Sequence, residues 1–459
     1  MSAVNVTLEW MTRQRTLTGV AAAYAYAALL VAGPWIFTVI GLLGLGSSGC
    51  DASGCGELQA YRSVVIYNSM FALVVSSPIA FLCGRCVADQ LHHGRVDHVT
   101  FVLLVSLGAF AAVVLGTALP FYALATTLPA PAQFAAVQNV FLIGVSWLVI
   151  PFLTAARAGN VTLLAFAANA VLLAVLGAVA PGQDAAAILT RLNAGFALTD
   201  ALLVAAVVRR FGSGIRPDWA MLATALRRWE LPAAGLAYAL GIWADKLIMW
   251  TGAAEGGLVA AGVLHTMPSY DTAMFWAQLA SIPVMAVAFV HVETRFSGLQ
   301  RRLYGRLDRQ ASLRELSATL AGLRVSVVSS IVTLFVTLAV IAVMGILASF
   351  VFMEELGLRP AYMAILRVSL FAMAFHTSAI FCFMFLLYFD LRRPALLIVA
   401  SYLVLNAVLT AAFLPLDQAF YGYGTMTAAA ITFVLAFVLL LRELPWLIYH
   451  AFVTNNASV

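Results

Sequence analysis

The sequence predicts an all-α polytopic membrane protein, with about twelve transmembrane helices in two six-helix bundles around a central cleft. Three observations lead there. Hydrophobic residues make up 63% of the 459-residue chain and charged ones 10%, well under half the charged share of a soluble domain, and the mean hydropathy is +0.98. Apolar runs of the roughly 20 residues that cross a bilayer as a helix recur from Thr16 to Leu441. Arginines fall in alternate connections, whereas Asp51, Glu57, Asp184, Glu255, Glu354, Glu355 and Asp417 fall in the others, a pattern that sets orientation with both ends on the arginine-bearing, cytoplasmic side. The net charge of +5 therefore speaks of topology and not of nucleic acid, for which no RNP, zinc-finger or basic-region pattern is present.

Taken in order, residues 1–15 read as a cytoplasmic interfacial segment with Arg13 and Arg15, lacking the short apolar core and cleavage site of a signal peptide. Residues 16–208 read as the first six-helix bundle. Its first span, Thr16 to Gly46, contains Gly33-Pro34, which should kink or break it. The second, Tyr61 to Leu82, carries Tyr67, Asn68 and Pro78 and runs into a polar inner loop. Spans three to six follow at Val99–Leu124, Phe134–Ala155, Val161–Val179 and Ala185–Val208. In the sixth, Asn193 and Asp200 stand seven residues apart and so share a face; that face suits either a cavity or a polar contact between packed helices.

Residues 209–229 are too polar to span and too apolar to float free, which suits an amphipathic linker lying on the inner surface. The second bundle, 230–449, opens with Glu230–Gly252, continues with Asp271–His291, and after the arginine-rich stretch from Glu293 to Arg324 adds spans at Val325–Phe352, Tyr362–Phe389, Pro394–Phe413 and Gly424–Leu441. Residues 450–459 form a tail. Prolines and glycines interrupt helices in both halves, the mark of repeats around a substrate site.

The stretch from Glu230 to Phe296 holds the charges that most need an explanation. Asp245 lies about 14 residues beyond Leu231, roughly 21 Å along a helix, and a carboxylate at that depth costs about 2.5–3.5 kcal/mol unless a partner or water receives it. Ala234, Tyr238, Gly241, Asp245 and Gly252 share a small or polar face suited to an aqueous cavity; Leu236, Leu240, Trp243, Leu247 and Trp250 form the opposite, lipid-suited one. Lys246, the chain's single lysine, projects about 100° away, so the two charges are not expected to neutralise each other. Either Asp245 lines a wet path, or Lys246 snorkels while Asp245 pairs with an arginine of another helix. On the next helix Asp271, Gln278, Ser281 and Met285 share a face, and Pro283 should bend it. Arg367 and His376 in the tenth span admit structural and functional readings equally.

No catalytic constellation stands out. Cys50 and Cys55 flank a tight outer segment that a disulfide could close; Cys83 and Cys86 form a CxxC without the βαβ context of a redox site; Cys382 reads as core. His92, His93 and His98 are spaced too loosely for a metal site, and GLGSSG near Gly44 lacks the strand and helix of a phosphate cradle. No metal or cofactor is expected.

Several stretches resemble the PelG family: GIWADKLIMW, PSYDTAMFWAQLASIPVMAVAFVHVETRF, RCVADQL, SWLVI, FLLYFDLRRPALL and YGYG at Tyr421–Gly424, in order and strongest from Gly241 to Arg295. The N-terminus, SAVNVTLEWMTRQR, departs from the glycine-rich start of that family. The resemblance implies a MOP/MATE-like fold in the bacterial inner membrane and export of an N-acetylgalactosamine-rich, Pel-type biofilm polysaccharide. It also implies partners: a cytosolic glycosyltransferase (PelF-like), a cyclic-di-GMP receptor (PelD-like) and a PelE-like subunit. A neutral, hydroxyl-rich polymer needs donors, acceptors and flat rings, which Tyr24, Trp35, Tyr67, Asn68, Asp200, Tyr238, Asp245, Asp271 and Gln278 offer as a transport path. Arg295, Arg301, Arg302 and Arg306 are the expected docking surface for the synthase. The alternative is an ion-coupled flippase for a lipid-linked glycan or small molecule, with Asp245 or Asp200 as the ion site.

Overall fold

The computed structural model describes residues 17–46, 55–156, 158–179, 184–253, 257–291, 296–351 and 360–450. The expected N-terminal interfacial segment, the Cys50 to Cys55 pairing, Arg157 and Arg295 lie outside them, as does the side chain of Tyr24. Twelve helices of 21 residues or more are present: α1 Leu17–Gly46, α2 Cys55–His92, α3 Val99–Pro120, α4 Ala130–Ala155, α5 Gly159–Val179, α6 Ala185–Phe211, α8 Glu230–Gly252, α9 Pro268–His291, α11 Leu313–Val351, α12 Pro360–Tyr388, α13 Arg392–Phe413 and α14 Tyr423–Glu443. Two shorter ones, α7 Trp219–Leu226 and α10 Ser297–Asp308, lie in the arginine-rich connections.

Nine of the long helices are long and apolar enough to cross a membrane among the described residues. Those outside that count are α1, α8 and α9. They include the helix diluted by Asp245 and Lys246. Their lengths of 30, 23 and 24 residues still exceed the bilayer requirement.

Local chemistry sets the ends. α4 opens with Pro131 in its first turn, where the missing N–H costs nothing. α6 stops at Gly212 and α14 starts after Gly422, both at positive φ (90° and 92°) that glycine adopts without penalty. Asp218 caps α7 by accepting the Met221 N–H at 2.8 Å. Pro34 does not break α1; the helix runs through it, and Thr38 Oγ1 back-bonds to the Pro34 carbonyl one turn earlier at 2.7 Å.

By its contacts the chain divides into two compact units. The first comprises Ala32–Trp243 with Gly256–Pro268, and the second Met1–Val31, Ala244–Glu255 and Ser269–Val459. In the first, α2, α4 and α6 pack on one another, α3 rests on α2 and α4, and α5 on α6. Phe110, Leu148, Phe152, Leu189 and Leu192 are fully buried there, while Leu115, Leu164 and Val171 face outward, as lipid permits. In the second, α12 packs on α14, α13 and α11. Phe335, Phe375 and Phe433 stack as a group, with centroids 5.0–6.4 Å apart.

The connection after α8 is a β-hairpin and not the plain loop its composition suggests. Strands β1 Leu258–Ala260 and β2 Leu264–Thr266 pair antiparallel with Val259 opposite His265. Ala261 and Gly262 turn it at φ 45° and 84°, the paired positive angles that suit a two-strand reversal. The hairpin belongs to the first unit, where the Thr127 N–H donates to the Ala261 carbonyl at 3.0 Å and the Tyr67 hydroxyl both donates to the His265 carbonyl and accepts its N–H, each at 3.1 Å.

Candidate functional site

In the second unit the described part of the candidate path is a buried polar node. α8 presents Asp245, which is 1% exposed. Its Oδ2 accepts the Tyr270 hydroxyl from α9 at 2.7 Å and lies 3.5 Å from Thr425 Oγ1 on α14. Tyr270 and Thr425 are themselves 3.0 Å apart. Oδ1 lies 3.5 Å from Lys246 Nζ, so the expectation that these charges stay apart is corrected: the four-carbon stem of lysine swings its ammonium back across the angle between the two Cβ directions. No arginine takes part in this node among the described residues. His376, half-buried on α12, has its ring 4.5 Å from that of Tyr402.

On the face of α8 expected to be wet, Asp245 is enclosed by side chains in this structure. A lysine, a tyrosine and a threonine surround the carboxylate; both hydroxyls lie on Oδ2, and Oδ1 has the lysine charge at 3.5 Å but no hydrogen-bond donor among the described residues. Trp250, assigned to lipid, is 3% exposed, and its indole N–H donates to both oxygens of Asp271 at 3.0 Å. A partner carboxylate on α9 outweighs the apolar preference of the ring. Arg367 lies with its guanidinium 4.0 Å over the Phe350 ring.

In the first unit a second polar set ties α2, α4 and α6 to the π-helical turn Phe121–Ala125 that follows α3. Asn68 is fully buried; its amide donates to the Ala136 carbonyl at 3.1 Å and to Asn139 Oδ1 at 2.9 Å, and its oxygen accepts the Tyr122 hydroxyl at 2.5 Å. Asn139 passes the chain on to Asn193 Oδ1 at 2.7 Å, and Asn193 donates to the Ala135 carbonyl at 2.8 Å. One turn pair further, Ser146 donates to Asp200 Oδ1 at 2.7 Å. Both polar positions of α6 thus make contacts between packed helices, the second of the two readings open at the sequence level. Asp200 Oδ2 and both polar atoms of the Asn169 amide are buried without a hydrogen-bond partner among the described residues. Ser146 also lines a cavity of about 250 Å³ with Trp35, Thr38, Ser69, Trp147 and Trp243.

The remaining candidates separate by unit. Tyr67 is engaged by the hairpin, and Tyr238 sits against Phe81 at 6.3 Å. Gln278 offers its carbonyl to Ser281 at 2.7 Å. Arg301 and Arg302 are exposed on α10, whereas Arg306 is taken up by the Glu315 carbonyl at 3.1 Å and Thr319. Sequence reasoning missed Tyr122, Asn139, Tyr270 as a carboxylate partner, and Thr425. Tyr122 carries a weak signal, the lone hydroxyl of an apolar run just after Pro120; nothing in Thr425's surroundings singles it out.

Compared with known proteins, residues 1–452 match the family model PelG, described as "Putative exopolysaccharide Exporter (EPS-E)". No curated protein sequence matches the chain significantly. Among solved structures the fold is similar to an outward-facing multidrug resistance MATE family transporter of the MOP superfamily, at TM-score 0.64 and 13% identity over 93% of this chain and 95% of that one. It is also similar to an inward-facing MATE transporter, at TM-score 0.59 and 13% identity over 90% and 99%, and to a MOP superfamily transporter from Pyrococcus furiosus, at TM-score 0.63 and 12% identity over 92% and 95%. Identities this low carry the fold alone. A multi-pass transporter fold of the MOP type and a family match along nearly the whole sequence agree with the resemblance read from its motifs: the chain belongs to the PelG family of exopolysaccharide exporters.

Proposed function

We propose that this protein carries a nascent Pel-type, N-acetylgalactosamine-rich polysaccharide across the bacterial inner membrane as a cytosolic PelF-like glycosyltransferase extends it, with PelD-like and PelE-like subunits alongside. The family match over residues 1–452 is the observation that carries this reading. The chemistry of the Asp245 node supports it. A carboxylate that already accepts a tyrosine hydroxyl and lies near a threonine hydroxyl is built to receive hydroxyl donors, which is what a sugar chain offers. In this conformation the node is shut, so passage along it requires Tyr270 and Thr425 to release Asp245 and polymer hydroxyls to take their place. Arg301 and Arg302, exposed on α10, are the part of the proposed docking surface free to meet the synthase.

A second reading, an ion-coupled flippase, rests on Asp200, whose Oδ2 is buried without a partner among the described residues behind the cavity-lining Ser146. One pair of experiments separates the two. Cells making the polymer and expressing Asp245→Ala at the normal protein level should lose most secretion; full secretion removes Asp245 from the path. Purified protein in liposomes, without any synthase, should take up no glycan in response to a proton or sodium gradient. Gradient-driven uptake abolished by Asp200→Asn would establish the second reading instead.

A further inference from the structure

A second cavity, of about 360 Å³, lies where the end of α2, the connection to α3 and the linker meet, walled by Cys86, Asp89, Gln90, Arg95, Met221 and Arg228 among others. It belongs to the first unit alone and plays no part in the proposed path. Gln90 is 4% exposed, and its amide donates to Met221 Sδ at 2.7 Å, which leaves Oε1 buried with no partner. A buried acceptor without a donor is destabilising and is relieved by any ligand that brings a hydroxyl. Turning the amide round would be worse, because the Met221 sulfur has no hydrogen to give and both ends of the amide would then lack a partner.

The charges around it favour an anion. Asp89 is spent on two guanidiniums, Arg85 Nε at 3.0 Å and Arg228 Nη1 at 2.6 Å, and Asp218 is spent on capping α7. Arg95 is exposed and makes no ion pair among the described residues. A group entering here therefore meets an uncompensated guanidinium and a buried acceptor that wants a hydroxyl.

The depth of the cavity favours a lipid. α2 has 38 residues and so runs about 57 Å, nearly twice the hydrocarbon thickness of about 30 Å, and the cavity lies at one of its ends. Beside it the linker exposes Ile215, Trp219, Leu226 and Trp229, with the tryptophans typical of the headgroup zone. We infer that this cavity seats the headgroup of an anionic, hydroxyl-bearing phospholipid of the phosphatidylglycerol class. Its phosphate pairs with Arg95, its glycerol hydroxyl donates to Gln90 Oε1, and its acyl chains lie along the apolar side of the linker. A choline headgroup has no hydroxyl to give and brings a cation toward Arg95.

The test uses the full chain in detergent, titrated with phosphatidylglycerol, phosphatidylcholine or free glycerol 3-phosphate and read by native mass spectrometry. Phosphatidylglycerol should be retained selectively, and Arg95→Gln should weaken it about tenfold or more, the worth of one charge-assisted hydrogen bond. Gln90→Leu should weaken it several-fold without lowering the unfolding temperature, since it also removes the orphan oxygen. Equal retention of phosphatidylcholine, equal affinity for free glycerol 3-phosphate, or undiminished phosphatidylglycerol binding by both variants would overturn the inference.

Discussion

Asn68 and Tyr122 show how a polar side chain survives inside an apolar bundle. Asn68 meets two acceptors and one hydroxyl donor, so every change there leaves a different number of orphans. Tyr122→Phe removes one hydroxyl and leaves Asn68 Oδ1 without that donor; such hydrogen bonds within membranes average about 0.6 kcal/mol and reach about 1.7. Asn68→Leu strands the Tyr122 hydroxyl, Asn139 Oδ1 and the Ala136 carbonyl together, at about 1–3 kcal/mol. Thermal unfolding in detergent should therefore rank Asn68→Leu below Tyr122→Phe, and Tyr122→Phe slightly below the parent. Equal unfolding temperatures for all three would mean that this set carries no stability. The sequence shows that Asn68 is polar and at mid-span, which supports a path as readily as a packing role. Its partners stand 54 to 71 residues away, and no local pattern links them. The same limit applies to Asp245: its depth is legible, whereas the turn of Lys246 back onto it depends on rotamers and on the neighbours Tyr270 and Thr425.

Helices were the most legible elements, because apolar length is a one-dimensional signal. Spans read at Ala185–Val208, Pro394–Phe413 and Gly424–Leu441 are helices at Ala185–Phe211, Arg392–Phe413 and Tyr423–Glu443. The main differences are at α2 and α11, which continue past their apolar stretches through charged turns such as Gly84–His92 and Leu313–Arg324; an Arg85–Asp89 pair supports the first and a Ser312–Glu315 capping box the second, where hydropathy sees only an end. The hairpin was not legible, being two three-residue strands that gain their stability from Tyr67 and Thr127. Packing between helices was also out of reach, and glycine decides it at one place in particular. A Cβ on Gly424 would lie 2.6 Å from the Thr410 backbone, and backbone, unlike a side chain, cannot turn aside. Gly424→Ala should thus force α13 and α14 apart, costing about 1–3 kcal/mol of overpacking, visible as a lowered unfolding temperature. Gly298→Ala, with open space around its Cα on α10, should be neutral or better. If Gly424→Ala is equally neutral, the close approach of α13 and α14 is wrong.

For the molecule as a whole, orientation rests on where arginine lies. The end of α6 and the connections after α2, α6 and α9 carry Arg209, Arg210, Arg95, Arg216, Arg227, Arg228 and the cluster Arg301 to Arg314, and the start of α13 carries Arg392 with Arg393; the positive-inside tendency predicts that this side is cytoplasmic. Arg62 and Arg191, at the opposite helix ends, depart from the simple alternation. Arg191 is buried against its own helix, with Nε donating to the Ala187 carbonyl at 3.2 Å. Nearby, Glu57 accepts the Ala185 N–H at 3.2 Å, so acid and base share that end. The excess of arginines on one side predicts that this side faces the cytoplasm. Cys83, Cys86 and Cys382 are buried and should stay silent to a membrane-impermeant maleimide once Cys50 and Cys55 are replaced by serine. In that background Leu258→Cys, exposed on the hairpin, should be labelled when the outer face of the inner membrane is offered to the reagent, and Arg301→Cys only after the membrane is opened. Labelling in the reverse order would turn the protein over, and with it would move Arg301 and Arg302 to the side where no cytosolic synthase could reach them.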